Sequence, residues 1–258
     1  MTDALVTTDL SDGILTITLA RPDKKNALTQ AMYTAIADAL DRATADGAVR
    51  VVVLQGSGGS FTSGNDLMDF MSGNLSADGG EPPVFRVLRT VVDFAKPLVA
   101  AVEGPAVGIG TTILLHCDLA VAHTSAKFSM PFVNLGLCPE AASSFLLPKI
   151  MGHARAAELL MLGDPFDAAT AHAYGLVNRV TDGDVQAEAR ALAARLAAKP
   201  PASVRLTKEL MKKGEREILH RVMQEEAVLF AGRLGSPEAQ EAFGAFMERR
   251  RPDFSRFE

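Results

Sequence analysis

This 258-residue chain has little of what metal, disulfide or membrane proteins depend on. Its two cysteines, Cys117 and Cys138, lie far apart in sequence. They form neither a disulfide framework nor a CxxC pair, which points to a reduced intracellular setting with both thiols in the core. No run of about eighteen apolar residues is present, so no membrane span is expected. Positive charge is not in excess: 26 Lys and Arg face 31 Asp and Glu, for a net charge of -5. That balance argues against a nucleic-acid partner. The five histidines, His116, His123, His153, His172 and His220, lack metal-ligand spacing, so no metal is expected. The one basic cluster, Arg249-Arg250-Arg251, has two readings: a grip for a small anion, or cations suited to the end of the last helix. Neither terminus carries a targeting signal, and a cytoplasmic protein is expected.

What is present is an alternation of strand, glycine-rich turn and helix. Val6 to Leu10 and Ile14 to Leu19 flank Asp12-Gly13 as a hairpin, and Thr29 opens an amphipathic helix to about Ala45. The β-branched run Arg50 to Leu54 reads as a buried strand, followed by the glycine-rich turn 55–67 and a short helix. Residues Ser72 to Pro83 lack periodicity and read as a loop, and Val84 to Phe94 as a helix. Leu98 to Val102 is a second buried strand with a second glycine turn at 103–110, then a helix from Ile109 to His116. Asp118 to Ala122 and Ala126 to Ser129 read as strands, followed by amphipathic helices near 154–162, 168–174, 184–198, 202–232 and 237–250. This pattern predicts an α/β core over 1–199 and a helical region over 200–258, beginning at Pro200-Pro201.

Glycine turns after strands commonly cradle phosphates, but these do not match. Ile113 stands where a dinucleotide fingerprint needs its third glycine, and neither turn ends in Gly-Lys-Ser/Thr. The G-x-S-x-G and H-E-x-x-H signatures are missing as well. Such turns can instead present backbone N–H groups to a developing negative charge. A carboxylate is then needed to move a proton, and Glu140 stands alone in the apolar stretch 132–147. Burial would raise its pKa and make it a base; the plainer reading puts Pro139 and Glu140 in the first turn of a helix.

Taken together, several segments resemble the crotonase (enoyl-CoA hydratase/isomerase) superfamily. They are Arg21-Pro22-Asp23-Lys24-Lys25-Asn26-Ala27-Leu28, Ser63-Gly64-Asn65-Asp66-Leu67, Lys96-Pro97 to Gly110, Gly175-Leu176-Val177-Asn178 and the segment from Ala245 to Pro252. The resemblance implies a crotonase-like spiral of ββα units with a C-terminal helical trimerisation region, assembled as a homotrimer or a dimer of trimers. It also implies an acyl-CoA thioester as substrate and no separate cofactor, coenzyme A being part of that substrate. The implied oxyanion donors are the backbone N–H groups of Ser63 and Ile109. Backbone around Ala27, Leu28, Ser63, Gly64, Asn65, Asp66, Leu67 and Gly108 is implied to hold the CoA portion, although Asp66 also reads as a helix-start residue. The two glutamates of the hydratase branch align with Thr112 and Phe132 here, neither of which can be a carboxylate base. Glu140 aligns with the acid/base of the branch resembling peroxisomal Δ3,Δ2-enoyl-CoA isomerases, as Leu135-Gly136, Pro139 and Ser143-Ser144 do with their counterparts. The expected activity is migration of a double bond from 3-enoyl-CoA to 2-enoyl-CoA, as in fatty-acid β-oxidation. The alternatives are enoyl-CoA hydration, another CoA-ester isomerisation, or a silent acyl-CoA-binding scaffold. Val84 to Phe94 and Phe132 read either as acyl-pocket walls or as core.

Overall fold

The computed structural model describes residues 4–66, 68–69 and 81–257. Its main sheet has six strands: β1 (Val6–Ser11), β2 (Ile14–Leu19), β3 (Val51–Gly56), β4 (Leu98–Val102), β6 (Leu119–His123) and β9 (Arg179–Thr181), in the order β1-β2-β3-β4-β6-β9. Only the β1–β2 hairpin is antiparallel, turning at Asp12-Gly13. A second sheet joins β5 (Pro105–Val107), β7 (Lys127–Ser129) and β8 (Phe166–Asp167).

The central strands are buried on both faces, which is why β3 and β4 read as continuous apolar runs. Successive side chains go to opposite layers. Val52, Leu54, Leu98, Ala100 and Val102 join the larger core with α1 (Gln30–Ala45) and α2 (Pro83–Asp93). Val51, Val53, Val99 and Ala101 meet Val185, Ala189, Leu192 and Ala193 of α7 (Val185–Ala197) on the other side. The remaining helices are α3 (Ile109–Thr112, continued as a 3-10 turn to His116), α4 (Ser143–Met151), α5 (His153–Leu162), α6 (Ala168–Ala173), α8 (Pro201–Lys212), α9 (Arg216–Leu234) and α10 (Pro237–Met247). Side-chain caps by Thr29, Asp167, Asp184 and Ser236 start α1, α6, α7 and α10.

Several expectations change. The helix expected over 202–232 is two helices, broken at Gly214, a residue with low helix propensity placed after adjacent lysines. The helix expected to reach residue 250 ends at Met247. There Arg249 turns left-handed, with φ 55°, and Arg250 folds back to pair with Glu241 and Glu248. Those pairings occupy Arg250. Part of the second glycine turn is a strand, β5, too short to show alternation in sequence. Most of the expected loop Ser72 to Pro83 lies outside the described residues, and Pro83 is the first residue of α2. Both cysteines are half-buried rather than fully enclosed. The C-terminal helices lend Leu219, Met223, Ala239 and Phe243 to the same core as α1 and α2. Among the described residues no helix is long and apolar enough to cross a membrane.

Candidate active site

The two glycine turns run side by side. Thr62 N–H donates to Pro105 O at 3.0 Å and Val107 N–H to Thr62 O at 3.1 Å, with Thr62 bridged in parallel to Ala106. The approach is close enough to demand glycine: at Gly64, with φ +89°, an added Cβ would lie 2.8 Å from Val107 O. At Gly110 it would lie 2.6 Å from Thr62 Cγ2. Gly108, φ +55°, donates its N–H to Ser129 O at 2.9 Å and turns the chain into α3, leaving Ile109 as the first helical residue. The N–H groups of a first helical turn have no partner within their own helix.

Ser63 does not supply the matching donor, because its N–H is already given to Lys25 O at 2.9 Å. Leu28 N–H donates to Gly64 O and Asp66 N–H to Leu28 O, both at 2.8 Å, and these bonds straddle Asn65. Asn65 N–H is thereby left without an acceptor among the described residues. The available pair at the two turns is Asn65 and Ile109. Ala27 is bound as well: its carbonyl accepts from Arg21 Nη1 at 3.1 Å. Asp66 pairs with Arg21 at 2.7 Å and accepts from the N–H groups of Met68 and Asp69, the hydrogen bonding of a helix-start residue. Leu67 lies outside the described residues.

Glu140 is not in a helix. It lies in an irregular segment ahead of α4, so the reading of Pro139 and Glu140 as a first helical turn does not hold. Its carboxyl accepts a short hydrogen bond from Thr112 Oγ1. Burial, only partly offset by that bond, pushes its pKa up from 4.5 to about 8, and the carboxylate of Glu226 adds to the rise. The next two residues, Ala141 and Ala142, are both left-handed, with φ 58° and 56°. For a residue with a Cβ this conformation costs about 1–2 kcal/mol each, so surrounding contacts must hold the turn.

Glu140 and Ala141 open onto a cavity of about 300 Å³ together with Asn65. Its walls are mostly apolar, with Val84, Phe85 and Leu88 from α2 and Met223, Ala227, Val228, Phe230, Ala231 and Leu234 from α9, and Gln224 of α9 as the polar exception. Val84 to Phe94 thus divides: its first residues line the cavity, while Val87, Val91 and Val92 are buried in the core. Phe132 lies behind the wall, edge-on to Phe230 with ring centroids 6.4 Å apart. Buried Tyr33 donates to Asn65 Oδ1 at 2.5 Å, and burial followed by the nearby Glu140 raises its pKa, keeping it a neutral donor.

Tyr33, Thr112 as a partner of Glu140, Glu226 and the α9 wall had not been singled out from sequence. The wall does leave a trace: Met223, Ala227, Phe230, Ala231 and Leu234 fall on one helical face. His116 and Asp118, adjacent to Cys117, point apart. His116 Nε2 meets Ala141 O at 2.8 Å, whereas Asp118 accepts from Leu98 N–H and pairs with Lys208.

Comparison with known proteins matches residues 9–256 to the enoyl-CoA hydratase/isomerase family model. The chain belongs to that family. A solved enoyl-CoA hydratase/isomerase from Pseudoalteromonas atlantica T6c superposes with a TM-score of 0.93 at 41% identity, covering 97% of this chain and all of that one. OdaA from Pseudomonas aeruginosa superposes at 0.91 with 51% identity, covering 95% of this chain and 99% of its own. These neighbours share the crotonase fold. Among curated relatives, enoyl-CoA delta isomerase 2 of Rattus norvegicus is 42% identical over 243 residues, 92% of this chain and 62% of the rat protein. This chain therefore spans less than two thirds of that relative's length.

Proposed function

We propose that this family member is a Δ3,Δ2-enoyl-CoA isomerase working with a single carboxylate, Glu140. The observation that carries this reading is one half-buried carboxyl of raised pKa opening onto a mostly apolar cavity beside Asn65 and bonded to Thr112, next to the paired turns that leave N–H donors at Asn65 and Ile109. The relationship to a protein named an enoyl-CoA delta isomerase supports it.

In this account the thioester oxygen of a 3-enoyl-CoA accepts hydrogen bonds from the N–H groups of Asn65 and Ile109, with Asn65 replacing Ser63 as the first donor. Ionised Glu140 takes a proton from C2. The electron pair of that C–H bond flows toward the thioester and gives a dienolate, whose oxyanion the two donors stabilise. Losing one such donor typically costs ~3 kcal/mol of barrier. Glu140, now protonated, returns the proton at C4; a C2=C3 bond forms as C3=C4 is lost. The apolar walls on α2 and α9 take the acyl chain and exclude water, which keeps the proton on Glu140 between the two transfers. CoA would lie along backbone near Ala27, Leu28 and 63–67.

Hydration needs an activated water and a proton donor as separate groups. Glu140 is the one carboxylate among the described residues lining the cavity, and Thr112, at the position of a hydratase glutamate, donates to Glu140 instead. The assembly proposed with this reading is a homotrimer or a dimer of trimers, which would cover the exposed Leu206, Leu210 and Met211 on α8 and Val228 and Leu229 on α9. A spectrophotometric assay with 3-enoyl-CoA and 2-enoyl-CoA side by side tests the activity. Conjugation of the first without hydration of the second is expected; hydration of 2-enoyl-CoA without isomerisation of the other overturns the reading.

A further inference from the structure

Glu140 lies on a turn that is neither helix nor strand and continues through two left-handed alanines, so its direction is set by what grips the turn. The grip comes from two sides. His116, buried and held neutral by a pKa pushed down to about 4, donates from Nε2 to Ala141 O at 2.8 Å. Opposite it, one carboxylate gathers three donors: Glu226 on α9 accepts from Ala142 N–H at 2.6 Å, Ser144 N–H at 3.1 Å and Ser144 Oγ at 2.5 Å.

We propose that Glu226 is a positioning residue for Glu140, its carboxylate fixing the strained turn and thereby the angle at which the Glu140 side chain enters the cavity. A plain helix cap at the start of α4 would not need this residue. Ser or Asn on the chain itself caps an N-terminus without burying a charge, whereas Glu226 is 6% exposed and reaches in from the C-terminal helices. Its place on α9 adds a coupling, because Met223, Ala227 and Phe230 on the same helical face form the cavity wall. An acyl group pressing on that wall bears on the residue that holds the base.

The charge also acts directly, making Glu140 harder to ionise. The other titratable groups around the turn are accounted for. Tyr33 of α1 is bonded to Asn65, and His116 is neutral. Cys138 has its pKa raised by burial, and Arg233 of α9 is engaged by Gly136 O and Glu238. Asp69, on the short segment after the first glycine turn, acts on Tyr33 and accepts from Gln30 N–H.

The inference rests on the proposed function only in calling Glu140 the acid/base, and the test separates the two. Glu226→Gln keeps the side-chain length but removes the charge and puts an NH2 group where one of the two accepting oxygens stood; Glu226→Ala removes the clamp altogether. Two quantities are read: kcat and KM for 3-enoyl-CoA, and the titration of the Glu140 carboxyl carbon by 13C NMR, its resonance assigned by its loss in Glu140→Gln. In Glu226→Gln the expected result is a folded protein with KM within about twofold and kcat lowered about 10–100-fold, the scale of a small misplacement of a catalytic group. The Glu140 midpoint should move down from about 8. A folded Glu226→Gln protein with wild-type kcat overturns the proposal, as a merely structural cap would give, since loss of the charge by itself moves the midpoint without moving the carboxyl. If Glu226→Ala does not fold, Glu226→Gln decides. If the wild type does not turn over 3-enoyl-CoA, the functional reading fails by itself. The Glu140 carboxyl resonance at a pH where it is fully protonated in both proteins then decides alone, a changed shift or broadened line in Glu226→Gln supporting the positioning role and an unchanged resonance overturning it.

Discussion

At the scale of single residues, the account turns on a carboxyl that is costly to ionise and useful once ionised. Burial raises the pKa of Glu140 to about 8, and the Thr112 bond and the Glu226 charge pull in opposite directions around that value. Proton abstraction needs the carboxylate, the form populated above its pKa. The value of kcat/KM should therefore rise about tenfold per pH unit through pH 6 and 7 and level off near pH 8, as a rate profile measured at constant ionic strength will show. A flat profile from pH 5 to 9 would contradict a base of this kind. Glu140 was legible because a lone charge among apolar neighbours is rarely buried without a role. Glu226 was not, because it stands in the polar run Gln224-Glu225-Glu226, where a carboxylate looks solvent-facing. Its burial arises only when α9 docks on the turn before α4.

Elements carry the second part of the argument, since the donors belong to backbone and the turns must hold them. Gly64 has φ +89° and lies against Val107 O, so Gly64→Ala meets both backbone strain of about 1–3 kcal/mol and a contact that backbone cannot relieve. The variant should stay folded, lose a few kcal/mol in urea denaturation, and drop in kcat about 100-fold or more as the Asn65 donor is displaced. Retained kcat would separate this turn from the chemistry. Glycine turns after buried strands were visible in the sequence because φ > 0 and apolar β-branched runs each leave a residue-level mark. Which N–H they leave free was not. Ser63 and Asn65 differ in availability only because Lys25 O reaches one of them, a contact set by tertiary folding. For the same reason the three-residue strand β5 was hidden while the helices with side-chain caps were plain.

On the scale of the whole molecule, the C-terminal helices both complete the cavity and carry exposed apolar side chains. Leu210 and Met211 on α8 are 71% and 75% exposed, and Val228 on α9 is 70% exposed. The proposed assembly would cover these side chains. Light scattering after gel filtration should give a mass of three or six chains, and Leu210→Glu with Val228→Glu should shift it toward one chain. A wild-type monomer would remove the assembly from the account. The family and most of the α/β order up to the strand at 127–129 were readable, because strand, turn and helix recur there with their own local chemistry; beyond it α4 and the short strands β8 and β9 went unread, the strands being too short to show a period. The cavity was not, being made where α2 and α9, distant in sequence, face each other across Glu140.

The most direct measurement is steady-state turnover of 3-enoyl-CoA by the wild type and Glu140→Gln, beside CoA-ester affinity for both by calorimetry. The account predicts that the substitution lowers kcat by about 10⁴-fold or more while Kd changes by less than about threefold, since one carboxyl performs both proton transfers. Turnover by Glu140→Gln within tenfold of wild type would show that another group moves the proton.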